Sequence, residues 1–216
     1  MNLMKSNLIL FFVLGILFAS GCKSSTELVE TVDAENGEKI SYTRRVDNLG
    51  KQGLYTHLRK DGSKLEEAMY ENDTLNGFRK LYYEDGTVFI EEKYDMGAFQ
   101  GAWKTFHENG QLKLEGEYID NKMEGLWKGY YDNGGLKEEV HFKGNEENGA
   151  FIEYYKNGKL KAEGAYLGGD NENGLLKLYD ETGELIKKMD CKKGVCRTIW
   201  TKEDGEVTPK PLRGRS

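Results

Sequence analysis

The sequence predicts an all-β chain built of serial antiparallel β-hairpins, about six units of 24 residues each. Three observations lead there. Glycines at Gly53, Gly77, Gly101, Gly125, Gly149 and Gly174 are spaced by 24, 24, 24, 24 and 25 residues, and a second glycine follows each one nine residues later. The residue before that second glycine is Asp61, Asp85, Asn109, Asn133 or Asn157 in five of six units, with Thr182 in the last, which marks a tight turn. Composition agrees: 27 glycines and 13 tyrosines against two prolines favour many turns joined by β-forming segments over a helical protein.

Taken in order, residues 1–21 read as an export signal, with Lys5 ahead of an apolar stretch from Leu8 to Phe18 and then Ala19, Ser20 and Gly21. The apolar stretch is too short for a bilayer core that needs about 20 residues. Ala19-Ser20-Gly21-Cys22 resembles the bacterial lipobox, with Ala19 where a branched aliphatic residue is usual, which implies that Cys22 is acylated and becomes the N-terminus. Residues 22–37 are polar and read as a tether. A repeat domain is expected over 38–208, with core repeats over 53–196. EKISYTRRVDN adds an edge strand, RTIWTKEDGEV a final strand-turn-strand, and 209–216 a frayed tail. With Cys22 acylated, Cys191 and Cys196 remain. They are either a short-loop disulfide in an oxidising compartment or two packed thiols.

Within each unit, GFRKLYYEDG, GAWKTFHENG, GLWKGYYDNG and GAFIEYYKNG supply a first strand, and QLKLEGEY, GLKEEVHF and KLKAEGAY a second. A two-residue type I′ turn at Asn133-Gly134 places Lys128 opposite Glu139 and Tyr130 opposite Lys137, and likewise Lys80 opposite Glu91 and Lys104 opposite Glu115. One face then carries a Lys-Glu ladder beside Tyr82, Tyr130 and Tyr154. The other collects Trp103, Trp127 and Phe151, then Tyr83, Tyr131 and Tyr155, then Leu112, Leu136 and Leu160. It also gathers the strand-ending column Tyr70, Tyr94, Tyr118, Phe142 and Tyr166. The ladder face is expected to be wet and the aromatic face buried or groove-lining.

The pattern of aromatic pair, Asn-Gly, Leu-Lys, Glu-Gly and aromatic, then a polar loop into Gly-Leu-Trp, resembles the MORN repeat. It is similar to the bacterial variant form often grouped with YwqK-type antitoxins. The resemblance covers about residues 53–190 and is carried best by Gly101 to Tyr166, through Trp103, Trp127, Asn109-Gly110, Asn133-Gly134, Glu115-Gly116 and Glu163-Gly164. It implies an elongated, twisted single-layer sheet without a catalytic centre in the repeats. His57 and Leu58 in the first unit, and Asp180 and Cys191 in the last, mark atypical capping units.

Little in the chain points to chemistry. A formal net charge of -6 argues against a nucleic-acid partner. His57, His107 and His141 lack zinc spacing and read as packed or surface imidazoles. The column Glu67, Glu91, Glu115, Glu139 and Glu163 reads as one arm of the ladder, and GGDNENG (168–174) as a loop without the ligand spacing of a calcium site. No nucleophile elbow or phosphate loop is present, so neither a catalytic residue, a metal nor a cofactor is expected. The expectation is a lipid-anchored envelope protein whose repeat sheet binds or scaffolds another envelope protein. Lys104, Phe106, Lys128, Tyr130 and Tyr154 form its interaction face. Alternatives are an antitoxin-like binder of an exported toxin and a cell-wall glycan binder. Lys23 after Cys22, by resemblance to lipoprotein sorting in double-membraned bacteria, favours the outer membrane.

Overall fold

The computed structural model describes residues 25–208. The export signal, Cys22 and the tail 209–216 lie outside the described residues. Among those described, every regular element is a strand and every pairing is antiparallel, as the repeat pattern predicts. The chain divides into two compact units, one up to Gly110 and the other from Gln111.

The first unit contains β1 (Thr26–Val32), β2 (Lys39–Arg45), β3 (Lys51–Leu58), β4 (Lys64–Glu71), β5 (Thr74–Tyr82), β6 (Val88–Asp95), β7 (Ala98–Phe99) and β8 (Gly101–Phe106). From β1 to β6 each strand pairs with the next, and β6 also pairs with both β7 and β8. The second unit contains β9 (Leu112–Ile119), β10 (Lys122–Tyr130), β11 (Leu136–Lys143), β12 (Glu146–Tyr154), β13 (Leu160–Tyr166), β14 (Gly174–Tyr179), β15 (Leu185–Lys192), β16 (Val195–Thr201) and β17 (Gly205–Glu206), again paired in chain order.

Two sequence expectations are corrected at the N-terminal end. Residues 22–37 are not all tether, because Thr26–Val32 form β1 and pair with β2 from Thr26↔Arg45 to Val32↔Lys39. Val29 is buried there, and Arg44 holds Glu27 at 2.6 Å. EKISYTRRVDN is therefore an interior strand, with β1 outside it. TELVETV alternates apolar and polar residues too weakly to stand out until β2 supplies a partner.

The hairpin turns also differ from expectation. At Asn133-Gly134 the amide of Gly134 donates to the carbonyl of Tyr131 (2.9 Å) and the amide of Tyr131 to that of Gly135 (2.8 Å), which is a three-residue turn. Only Gly134 has a left-handed backbone, with φ of 80°. Asn133 acts through its side chain instead, accepting the Gly135 amide at 3.0 Å. A three-residue turn shifts the pairing by one residue, and a bulge at Lys137 shifts it back. Tyr130 thus meets Leu136, while Lys128 still meets Glu139. Leu136 and, by the same bulge, Leu160 therefore share the ladder face with Tyr130 and Tyr154 and not the aromatic face. Type I′ backbone occurs at the opposite ends of the hairpins, where Asn72-Asp73, Asp120-Asn121 and Gly144-Asn145 all have positive φ at both positions.

The period-defining glycines serve those opposite ends. Phe142 pairs with Glu147 but Val140 pairs with Phe151, so β12 carries two more residues than β11 between these pairs. Gly149 absorbs them at φ of 119°, where a Cβ would stand 3.1 Å from that of His141. The extra residue in the 25-residue spacing is absorbed by the loop between β13 and β14, where a lone Tyr166↔Glu172 bridge replaces the ladder.

Candidate functional site

The ladder face is internally satisfied. In the first unit Lys80 lies between Glu67 and Glu91 and bonds Glu91 at 2.6 Å, while the Tyr82 hydroxyl donates to Glu67. In the second unit Lys128 lies between Glu115 and Glu139 and reaches Glu139 at 3.1 Å. The Tyr130 hydroxyl donates to Glu115 at 2.8 Å, and Glu163 accepts from Lys177 (2.7 Å) and Tyr179 (2.8 Å). The Tyr130 hydroxyl is pushed up to about 12, by burial first and then by Glu115. Hydrogen bonds from Lys177 and Tyr179 hold the Glu163 carboxyl low.

The residues expected to form an interaction face lie on the ladder face of their own unit. Lys104 faces Glu91, and Phe106 follows on the same face of β8 in the first unit. Lys128, Tyr130 and Tyr154 occupy the ladder face of the second, where Lys128 and Tyr130 are engaged with neighbouring carboxylates.

The opposite face of the second unit is different. Its axis is the cross-strand row Trp127–Val140–Phe151–Gly164, and Phe151 forms a buried cluster with Ala162, Leu176 and Cys191. Two concave sites lie along it, one repeat apart. The first, about 190 Å³, is lined by Met123, Trp127, Glu138, Val140, Phe142 and Glu147. The second, about 310 Å³, is lined by Phe151, Glu153, Tyr155, Tyr166, Glu172 and Leu176 among others. Each cup pairs a repeat-position aromatic with the strand-ending aromatic: Trp127 with Phe142 (5.9 Å between centroids) and Phe151 with Tyr166 (4.3 Å).

Each cup also holds two carboxylates. Glu147 and Glu172 are one repeat apart, by the same 25 residues that separate Gly149 from Gly174. Glu138 and Glu153 stand directly opposite each other across β11 and β12, a like-charge pairing that disfavours the sheet. Lys137 tempers Glu138 at 3.1 Å and Lys161 tempers Glu153 at 2.7 Å. Glu147 and Glu172 form no ion pair among the described residues. Burial, then Asp170 and Glu138, raise the Glu147 carboxyl. The Tyr166 hydroxyl is pushed up to about 12 by burial and then by Glu147, Glu153, Glu172 and Glu138. The result is an apolar, aromatic groove edged by negative charge.

The corresponding face of the first unit is closed by its own charges. Arg79 stands where other repeats have Trp127 or Phe151, and donates from Nε to Glu66 (2.6 Å) and from Nη1 to the buried Glu92 (3.1 Å). The Tyr94 hydroxyl also donates to Glu92, at 3.0 Å. Burial pulls the guanidinium pKa down, and Glu66 and Glu92 more than offset it, leaving it raised. Lys51 sits 5.8 Å from the ring centre of Tyr42 and 5.0 Å from that of Tyr70.

Successive hairpins are also tied together by side chain to backbone bonds that the sequence reading missed. The hydroxyls of Tyr83, Tyr131 and Tyr155 donate to the carbonyls of Phe106 (2.8 Å), Tyr154 (2.7 Å) and Tyr179 (2.8 Å) in the next repeat. Arg59 takes the same role in the first unit, reaching the Tyr82 carbonyl at 2.9 Å. The four groove carboxylates were missed as well, although the matched spacing of Glu147 and Glu172 carried a signal. Cys191 and Cys196 are register partners across β15 and β16, and their Sγ atoms form a disulfide. His57 contacts Glu38 at 3.0 Å and His141 the Ala150 carbonyl at 3.0 Å. Among the described residues, no group of three or more His, Cys, Asp or Glu is placed to hold a metal.

Comparison with protein families matches three consecutive segments, residues 99–120, 123–143 and 147–167, to the MORN repeat variant. The third segment carries Glu147, Phe151 and Tyr166, and the second Trp127, Glu138 and Phe142. Comparison with curated proteins gives no match.

Proposed function

We propose that this chain is a non-catalytic interaction protein of the bacterial envelope. In this reading Cys22 carries its lipid anchor and the aromatic, acidic groove of the second unit is its recognition surface. The observation that carries the reading is the tandem pair of cups, Trp127/Phe142 with Glu138/Glu147 and Phe151/Tyr166 with Glu153/Glu172. Carboxylates without ion partners among the described residues, as at Glu147 and Glu172, set beside the half-buried rings of Phe142 and Tyr166, are what a binding surface needs and what a purely structural face avoids. The ladder face, where the sequence places Lys104, Phe106, Lys128, Tyr130 and Tyr154, spends its charges on the sheet itself. The match to MORN repeats, a repeat class whose resemblance implies an interaction role, supports the same reading.

The test is cross-linking in intact cells with the full-length protein, read by mass spectrometry. Glu147→Lys/Glu172→Lys should remove a partner that Lys128→Gln retains. Loss with the ladder variant alone would move the surface to the other face. Cys22→Ser should release the protein from membranes; continued sedimentation with them would place the anchor elsewhere. Cross-links to cell-wall material in place of protein would favour the glycan reading, and a captured exported toxin the antitoxin-like one.

A further inference from the structure

We infer that the groove of the second unit binds an extended, polyproline II-like segment of a partner protein that carries two basic side chains three residues apart. This rests on the reading of that groove as the recognition surface, and follows from its charge, its lining and its repeat distance.

Charge comes first. The cups are lined by Glu138, Glu147, Glu153 and Glu172; Lys137 is held by Glu138 and Lys161 by Glu153. Glu147 and Glu172 remain as the uncompensated pair, one in each cup. An aromatic wall beside a carboxylate suits a guanidinium, which stacks flat on a ring while donating in its own plane. Phe142 beside Glu147 and Tyr166 beside Glu172 are the half-buried rings that provide such walls, backed by the buried Trp127 and Phe151.

Distance selects the conformation. Equivalent positions on successive hairpins are separated by two strand spacings, about 9.6 Å, because neighbouring strands lie about 4.8 Å apart. A polyproline II helix has three residues per turn and rises about 3.1 Å per residue, so residues i and i+3 project from one side about 9.3 Å apart. A β-strand fails this test. Its i and i+3 side chains point to opposite faces, and its same-face neighbours are about 6.7 Å and 13 Å apart. The ligand backbone would run across the strands, over a sheet face that presents side chains and no free ladder. Polyproline II suits that position because it keeps its backbone groups in water. Sheet twist turns successive hairpins by roughly 40–50°, which limits the match to two or three turns of ligand.

The experiment is calorimetric titration of the full-length protein with synthetic proline-framed peptides. In Pro-Arg-Pro-Pro-Arg-Pro the arginines are three apart; in two controls they are two and four apart. A fourth peptide replaces both arginines with citrulline, and a fifth is an alanine-based helix with arginines seven apart. The three-apart peptide should bind at least tenfold more tightly than every other. Glu147→Gln/Glu172→Gln, checked for unchanged melting, should weaken it at least tenfold, whereas Lys128→Gln should not. Equal affinity for all arginine peptides would reduce the effect to net charge and overturn the proposal, as would preference for the helix. The chain's own Pro209-Lys210-Pro211-Leu212-Arg213 has the same spacing. A rise in peptide affinity on removing residues 209–216 would make that segment the occupant and overturn an external partner. If no peptide binds while the groove variant still loses its cross-linked partner, this inference fails and the binding surface stands. If neither occurs, both fail.

Discussion

The indole of Trp127 occupies the space that a side chain on Gly116 would need: a Cβ there would lie 2.1 Å from Cδ2 of the ring. Gly164 likewise lies under a ring, that of Phe151 on the paired strand of its own hairpin, where a Cβ would lie 2.8 Å from Cε1. The Glu-Gly pairs of the repeat are therefore seats for an aromatic on a neighbouring strand, that of the following hairpin at Gly116 and that of its own hairpin at Gly164. That ring is buried by lying on bare backbone, which lets a sheet with little core shelter a large apolar residue.

Gly116→Ala should cost about 1–3 kcal/mol through overpacking, and Trp127→Ala about 3–5 kcal/mol through the lost burial and the cavity left. Combined, they should cost much less than the sum, because the added methyl enters the space the indole vacates. Denaturant melts of the four proteins measure the coupling. Additive costs would mean the ring does not rest on Gly116.

Gly134→Val should cost about 1–3 kcal/mol, because Gly134 holds a left-handed backbone that a β-branched residue resists. Asn133→Ala should cost under about 1 kcal/mol, since it loses one exposed hydrogen bond and no special backbone geometry. Comparable large losses for both would restore a type I′ turn at this position. Thermal melting separates the outcomes.

Arg79→Phe should destabilise the first unit by about 3 kcal/mol, because it leaves Glu66 and the buried Glu92 facing each other without their cation. Adding Glu92→Gly copies Phe151 on Gly164 and should recover most of the loss. Failure of the second change to rescue would assign the cost to Glu66 or to Tyr94, whose hydroxyl also bonds Glu92.

Tyrosine titration should split. Tyr130 and Tyr166 are raised to about 12 in the folded protein against an ordinary 10. Their contribution to stability is therefore complete below pH 10 and is lost as pH rises through about 12. On the acid side the sign reverses: Glu163 lies below its ordinary 4.5, so its contribution is complete above that value and disappears as pH falls through the depressed one. Tyrosinate absorbance should show a late-titrating class that Tyr130→Phe reduces and urea abolishes. A single transition near 10 in the folded protein would contradict the Tyr130–Glu115 hydrogen bond and the burial of Tyr166 among carboxylates.

Much of the architecture was legible because the physics that sets it is local and repeated six times. Period-2 alternation set the faces, Asx-Gly pairs set the turns, and the Lys128–Glu139 register followed from them. That register was reached through the wrong turn, since a three-residue turn and a compensating bulge at Lys137 sum to the pairing a two-residue turn would give. Leu136, lying between turn and bulge, exposes the difference. β1 was missed because a polar strand becomes recognisable only by its partner.

What the sequence determined by itself is the all-β class, the hairpin period, the aromatic column and the charged ladder, each decided by contacts within a hairpin or between its nearest neighbours. The tertiary structure alone decided which charges are spent and which are left over. Tyr130 finds Glu115 on the preceding strand, Arg79 closes one aromatic face, and Glu147 and Glu172 come to line two aromatic cups one repeat apart. Charge complementation depends on distances between side chains far apart in the chain, and those distances exist only once the hairpins are stacked.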